Sequence, residues 1–252
     1  MTLLAGFSDI SVWQLVAVGV VALIANFIGG IAGYGSGALL PLVLVPMVGA
    51  APVVPIIAIS ALFSNVSRVL AYHAHAEWRR GLIAVVAATP TCILGAWGYT
   101  KLTGTGAAIV IGGMLILSVP LRRLLKRHGV HVNDAGLALG AVGYGVLVGG
   151  TAGSGVVMLS LLMAAGLQGA AVISTDAIVS IFVGTVKVSV FGVNGVLTTQ
   201  VIAFGLLIGL LAIPGPFLAR AFLARIPVHF HTAILDAVVL AGGAMLLIDV
   251  LR

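Results

Sequence analysis

Charge is scarce in this chain. Only 7% of its 252 residues are Asp, Glu, Lys or Arg, six acidic and twelve basic. With 61% hydrophobic residues and a mean hydropathy of +1.27, it carries more apolar surface than a soluble globular domain can hide. Cysteine is nearly absent. The single Cys92 lies in an apolar run without an intrachain partner, which excludes a disulfide framework and a cysteine metal site. No lysine or arginine precedes the first apolar stretch, so the opening residues do not read as a cleaved signal peptide.

Long apolar runs are there instead. A bilayer core about 30 Å thick takes ~20 residues per helix, so the length allows roughly eight to ten crossing segments. Apolar spans run over 11–30, 51–73, 81–100 and 106–121, then over 134–150, 169–191, 196–218 and 229–250. The net charge of +6 does not mark a nucleic-acid partner, because the basic residues sit between spans. Arg122, Arg123, Lys126 and Arg127 fill one connection and Arg79 with Arg80 another, as membrane orientation requires. The expected partner is the lipid bilayer of the cytoplasmic (inner) membrane, crossed many times.

The chain also repeats itself. Gly29-Gly30-Ile31-Ala32-Gly33-Tyr34-Gly35 returns 120 residues later as Gly149-Gly150-Thr151-Ala152-Gly153-Ser154-Gly155. Between positions 29 and 60, eleven residues equal their counterparts at that offset, and Gly95 falls opposite Gly215. After each glycine motif comes a stretch of only ~18 Å as a helix, 38–49 and 156–166, too short to cross unaided. A duplicated chain with interrupted spans at matched positions is the pattern of a secondary transporter. The expected architecture is an all-α polytopic membrane protein of two repeats, 1–125 and 126–252.

Lysine and arginine also orient the repeats. The charged loop at Arg79 and Arg80 corresponds to the uncharged Gly192-Val193-Asn194-Gly195, and the brief loop near Lys101 to a stretch with Arg220 and Arg225. The pattern inverts, which requires an odd number of crossings per half, about five counting the short segments. The repeats are therefore expected to be inverted, with both termini away from the cytoplasm.

A helix broken within a membrane exposes backbone N–H groups that hydrocarbon cannot satisfy, so it must line a polar cavity or be buried in protein. The N-terminus of the following half-helix, positive and rich in N–H donors, suits an anion. Gly33, Tyr34, Gly35, Ser36, Gly153, Ser154 and Gly155 are candidates for such a site, with Gly33 and Gly153 opposed across it. The alternative is close helix packing through small residues.

Arg68 and Lys187 lie in matching spans, one position out of register, ~7 Å below the boundary. They either attract the anion, one at each mouth, or snorkel to the interface. Asn65 and Thr185, at matched positions beside them, either complete the anion's shell or bond between helices. Asp176 is the deepest acid of the second half and serves as a proton carrier or as partner to a core cation. Asp236 reads as a structural pairing. His73 and His75, like His229 and His231, have a spacing of two that does not share a helix face, so no metal site is expected. Pro90, Pro214 and Pro216 are expected to kink helices near Gly95 and Gly215 and shape a central cavity.

On the Gly-Gly-x-Ala-Gly-x-Gly duplicates, the short segments after them and the Leu94-Gly95-Ala96 element, the chain resembles the TauE/SafE family of membrane transporters. Ser36-Gly37-Ala38 and Ser154-Gly155-Val156 stand where family members often carry a longer glycine run. The resemblance implies export of a small sulfur-containing anion, such as sulfite or sulfoacetate, without ATP and without a cofactor. An anion channel is the alternative; a membrane-embedded enzyme would need converging acid–base, nucleophile or metal groups. Assembly into homo-oligomers is left open by the sequence.

Overall fold

In a computed structural model the described residues are 6–7, 10–33, 35–127, 131–222, 240 and 243–248, the side chains of 32, 121–127 and 222 excepted. They are helical throughout, with no strand among them: α1 Val12–Ala32, α2 Ser36–Val48, α3 Val53–Tyr72, α4 Trp78–Tyr99, α5 Gly104–Arg127, α6 Asp134–Gly150, α7 Gly155–Ala164, α8 Ala170–Val193, α9 Thr199–Ala212 and α10 Pro214–Phe222. Among the described residues five stretches are long and apolar enough to cross a membrane: Val12–Ile31, Val53–His75, Trp78–Tyr99, Ala170–Val193 and Thr199–Ala221. Most of the last apolar span, with His229, His231 and Asp236, lies outside the described residues, as do Tyr34 and Arg225.

Local chemistry explains the boundaries. Ser11 and Gln14 form a reciprocal capping box at the start of α1. Gly33 ends α1 in the left-handed region at φ 79°, and Gly153 adopts φ 84° at the matched place after α6. Gly49 and Gly169, also 120 apart, have φ 77° and 54° beyond the two short helices, in the connections to α3 and α8. A side chain there meets steric conflict with its own backbone, so glycine is the residue that lets the chain turn twice. The two short helices therefore exist: α2 has 13 residues and α7 has 10.

Helices of one half pack on those of the other. α1 lies against α9 and α10, α6 against α4, and α3 against α8. Gly95 and Gly215 make the first two contacts close. A Cβ on Gly95 would lie 2.3 Å from the Val146 carbonyl oxygen, and one on Gly215 would lie 2.8 Å from the Asn26 carbonyl carbon. Val146 and Asn26 are themselves 120 apart. The expectation that this region shapes a cavity is corrected here: these glycines serve backbone-to-backbone packing, and neither they nor Pro90, Pro214 and Pro216 line the cavity below. Pro214 still acts on the helices, since α9 and α10 break at Ile213, directly before it.

The outward faces carry large apolar side chains such as Trp13, Leu82, Leu94, Trp97 and Leu139. Among the buried polar residues, Asn65, Arg68, Thr151, Ser154, Asp176 and Lys187 converge on one place.

Candidate functional site

Six elements meet around a cavity of about 110 Å³. The C-terminal ends of α1 and α6 reach it through Gly33 and Thr151, and the N-terminal ends of α2 and α7 through Gly35, Ser36, Ser154 and Gly155. The remaining walls are faces of α3 and α8. On α3 the lining positions are 58 and, spaced by four, four and three, 57, 61, 65 and 68; on α8 positions 176, 180, 184 and 187 repeat that spacing. Each is one helical face. The face on α8 is thus displaced by 119 residues from that on α3, not by 120.

That one-residue displacement decides which predicted residues enter the site. Arg68 and Lys187 both do, and both are buried, at 8% and 6% exposure. Neither snorkels to an interface and neither stands at a separate mouth; they share one cavity. Asn65 lies three positions before Arg68 on the same face. Three positions before Lys187 is Gly184, so Gly184 takes the place that matched numbering gave to Thr185. Thr185 is turned away by about 100°, is exposed, and donates to the carbonyl of Ile181 in its own helix.

The two cations act alike on the broken helices. Arg68 Nη1 donates to the Gly33 carbonyl at 2.5 Å, at the end of α1. Lys187 Nζ donates to the carbonyls of Val148 at 2.6 Å and Thr151 at 2.9 Å, at the end of α6. A helix end buried in an apolar medium leaves its last carbonyls without partners, and its dipole end is negative. A long cationic side chain from a neighbouring helix answers both.

Arg68 has further partners. Its Nη1 also donates to Asp176 Oδ2 at 3.1 Å, and its Nη2 to Asn65 Oδ1. Lys187 has no acid within ion-pair distance among the described residues, so its charge is met by carbonyl dipoles and the nearby Phe191 ring, 5.8 Å away. The described lining therefore carries two cations and one acid.

The opposition expected between Gly33 and Gly153 is realised one turn away, between Gly37 and Gly153. A Cβ on Gly37 would lie 2.7 Å from the backbone nitrogen of Gly153, whereas one on Gly33 would meet the Leu159 side chain. The two broken loops are in backbone contact there. The sequence reading missed Tyr144 and Ser180 among the lining residues. Ser180 had a signal, being identical to Ser60 at the repeat offset. Tyr144 had none.

His73 and His75 do not line the cavity. His73 and His75 are exposed in a short turn after α3, where His73 Nδ1 lies 3.0 Å from the Leu70 carbonyl oxygen. Arg79 pairs with Asp134 at the exposed starts of α4 and α6, and Arg220 donates to the carbonyl of Ala71 at 2.6 Å.

Two helix N-termini, two buried cations and a few hydroxyls around a small cavity can hold a compact anion. Comparison with known proteins agrees with that chemistry. The family described as sulfite exporter TauE/SafE matches residues 18–246, nearly the whole chain. No curated protein and no solved structure matches the chain.

Proposed function

Since the chain belongs to the TauE/SafE sulfite exporter family, and so is a multi-pass membrane transporter of anions, we propose that it exports a small sulfur oxyanion or sulfonate across the cytoplasmic membrane. The observation that carries the reading is the convergence of Arg68, Lys187 and the starts of α2 and α7 on one cavity. A cavity of about 110 Å³ supports a cargo of sulfite or sulfoacetate size over a bulky organic anion. Gly35, Ser36, Gly153, Ser154 and Gly155 bring backbone and hydroxyl donors to the anion, Gly33 lends its carbonyl to Arg68, Asn65 holds Arg68 in place, and Arg68 and Lys187 supply the charge. Tyr34 is proposed with them from its place in the motif. Such a carrier needs no ATP, because a negative interior favours anion exit by about 2.3 kcal/mol per charge per 100 mV.

A thermal-shift panel of sulfite, sulfate, sulfoacetate, taurine and simple carboxylates tests the cargo. A ligand at a hundred times its dissociation constant stabilises the folded state by about 2.7 kcal/mol, so a sulfur anion that binds is expected to raise the unfolding midpoint. Carboxylates shifting the midpoint while no sulfur anion does would overturn the sulfur assignment.

The transport reading also carries the inverted arrangement of repeats, supported by the charge pattern. With Asn194 outside and Arg79, Arg80, Arg122–Arg127 and Arg220 facing the cytoplasm, a cysteine placed at position 194 is expected to react with an impermeant reagent only from the outer side. One placed at position 79 is expected to react only from the inner side. Inner labelling at 194 rejects the inversion.

A further inference from the structure

An acid in a cavity built for anions calls for a reason. Asp176 is 1% exposed, carries the same charge sign as the proposed cargo, and sits on the cation that cargo needs. Its Oδ2 is bound to Arg68, but its Oδ1 is buried and finds no hydrogen-bond partner among the described residues. Arg68 Nε is in the same condition. A buried ion pair that serves as a staple has its remaining polar atoms satisfied, because each orphan costs desolvation with nothing in return. This pair is half satisfied. Arg68, by contrast, keeps the Gly33 carbonyl and Asn65 Oδ1 as partners, so its guanidinium stays in position when the carboxylate leaves it.

The surroundings of Asp176 are sparse in charge. From α3 it faces Arg68 and Asn65, and from α6 it faces Tyr144, whose hydroxyl reaches Ser180 on α8. α4 brings Cys92, further along, with Sγ 3.6 Å from the Val183 carbonyl oxygen. Lys187, on the same helix, is eleven positions away, ~16 Å. The turn at His73–His75 and Glu77 meets the first residues of α8 through Glu77 N–H donating to Thr175 Oγ1, and its side chains are exposed. α7 brings no titratable group. Arg68 is thus the cation that Asp176 pairs with, and a carboxylate that loses it has no second one at hand among the described residues.

We infer that Asp176 is the binding site of a co-transported proton, and that the cargo taken with it is doubly charged. Ionised, Asp176 is the internal counter-anion of Arg68. An entering anion takes Arg68 over, and the released carboxylate accepts one proton from solvent at Oδ1, becoming a neutral carboxyl. With Asp176 ionised the cavity has a net single positive charge from Arg68, Lys187 and Asp176; with Asp176 protonated it has two. Only the protonated cavity matches a dianion. One proton with one dianion moves a single net negative charge, so the membrane potential still drives exit. A monoanion carried the same way crosses without net charge and gains nothing from the potential. This inference rests on the anion reading of the cavity.

The test is titration of the purified full-length protein in lipid nanodiscs with sulfoacetate and sulfate, both doubly charged through the neutral range, and with methanesulfonate as the singly charged control. In wild type the dianion dissociation constants are expected to rise about tenfold per pH unit on the alkaline side, with about one proton taken up per anion bound. Asp176→Asn is expected to bind the dianions at least as tightly as wild type at acidic pH and with a flat pH profile; Asp176→Glu restores the slope. Dianions that bind with a flat profile and no proton uptake in wild type overturn the proton site and leave the anion site standing. Methanesulfonate preferred over both dianions overturns the charge assignment. Failure of every anion to bind overturns this inference together with the reading it rests on. Should Asp176→Asn not fold, proton uptake by wild type decides: about one per anion supports the site, none overturns it.

Discussion

Leucine in place of Gly37 or Gly153 is expected to abolish anion flux in proteoliposomes while the protein still inserts and runs as a single species. At Gly37 the first added carbon would stand 2.7 Å from the Gly153 backbone nitrogen and 3.1 Å from its Cα. Those are backbone atoms, so no rotamer change relieves the overlap. The rest of the side chain must part the two loops or enter a cavity of about 110 Å³, which it would largely fill. Gly153 adds a second penalty, since φ 84° costs a residue with a Cβ about 1–2 kcal/mol. Overpacking by one side chain costs about 1–3 kcal/mol, which lowers stability without preventing insertion of so apolar a chain. A Gly49 substitution is the control: its Cβ meets nothing within 4 Å, and only its φ of 77° is strained, so it is expected to keep flux. Wild-type flux in both Gly37→Leu and Gly153→Leu would remove the loop contact from the transport path.

Neutralising either buried cation is expected to weaken anion binding by one to two decades. A hydrogen bond to a charged group contributes about 1.5–3 kcal/mol, and 1.4 kcal/mol is tenfold in affinity. Lys187→Gln is the cleaner case. Its amide still donates to the carbonyls of Val148 or Thr151, so the end of α6 keeps a partner and mainly the charge is lost. Arg68→Gln does two things at once. It takes away the charge and leaves Asp176 buried without its counter-ion, and breaking a buried pair from one side costs about 3–5 kcal/mol of stability. Adding Asp176→Asn to Arg68→Gln removes the stranded charge, so the double variant is expected to regain stability while its anion affinity stays low. Thermal unfolding and anion titration on the four proteins separate the effects. Unchanged dissociation constants in Lys187→Gln and in the double variant would leave both cations with the carbonyl-capping role alone.

Much of this arrangement is written along the chain, because it depends on neighbours in sequence. Apolar runs must become helices in lipid, where every backbone group needs an internal partner. Paired glycines at one offset pointed to matched turns, and φ is positive at Gly33 and Gly153 and again at Gly49 and Gly169. The short segments after them are the short helices α2 and α7. Asn65 beside Arg68 was also legible, three positions apart on one face.

What the sequence could not decide is which faces meet. Arg68 and Asp176 are 108 residues apart, and only the crossing of α3 and α8 makes them a pair. The same crossing turns a repeat of 120 in the chain into a lining face of 119, which admits Gly184 and turns Thr185 outward. A helix rotates about 100° per residue, so one position of slip replaces one side of the helix with another. Tyr144 lines the cavity from α6, whose main packing partner is α4 of the other half. Sequence determined the segments and their breaks through local backbone chemistry. The rotation of each helix about its own axis, and with it the composition of the cavity, was decided by side-chain packing between helices far apart in the chain.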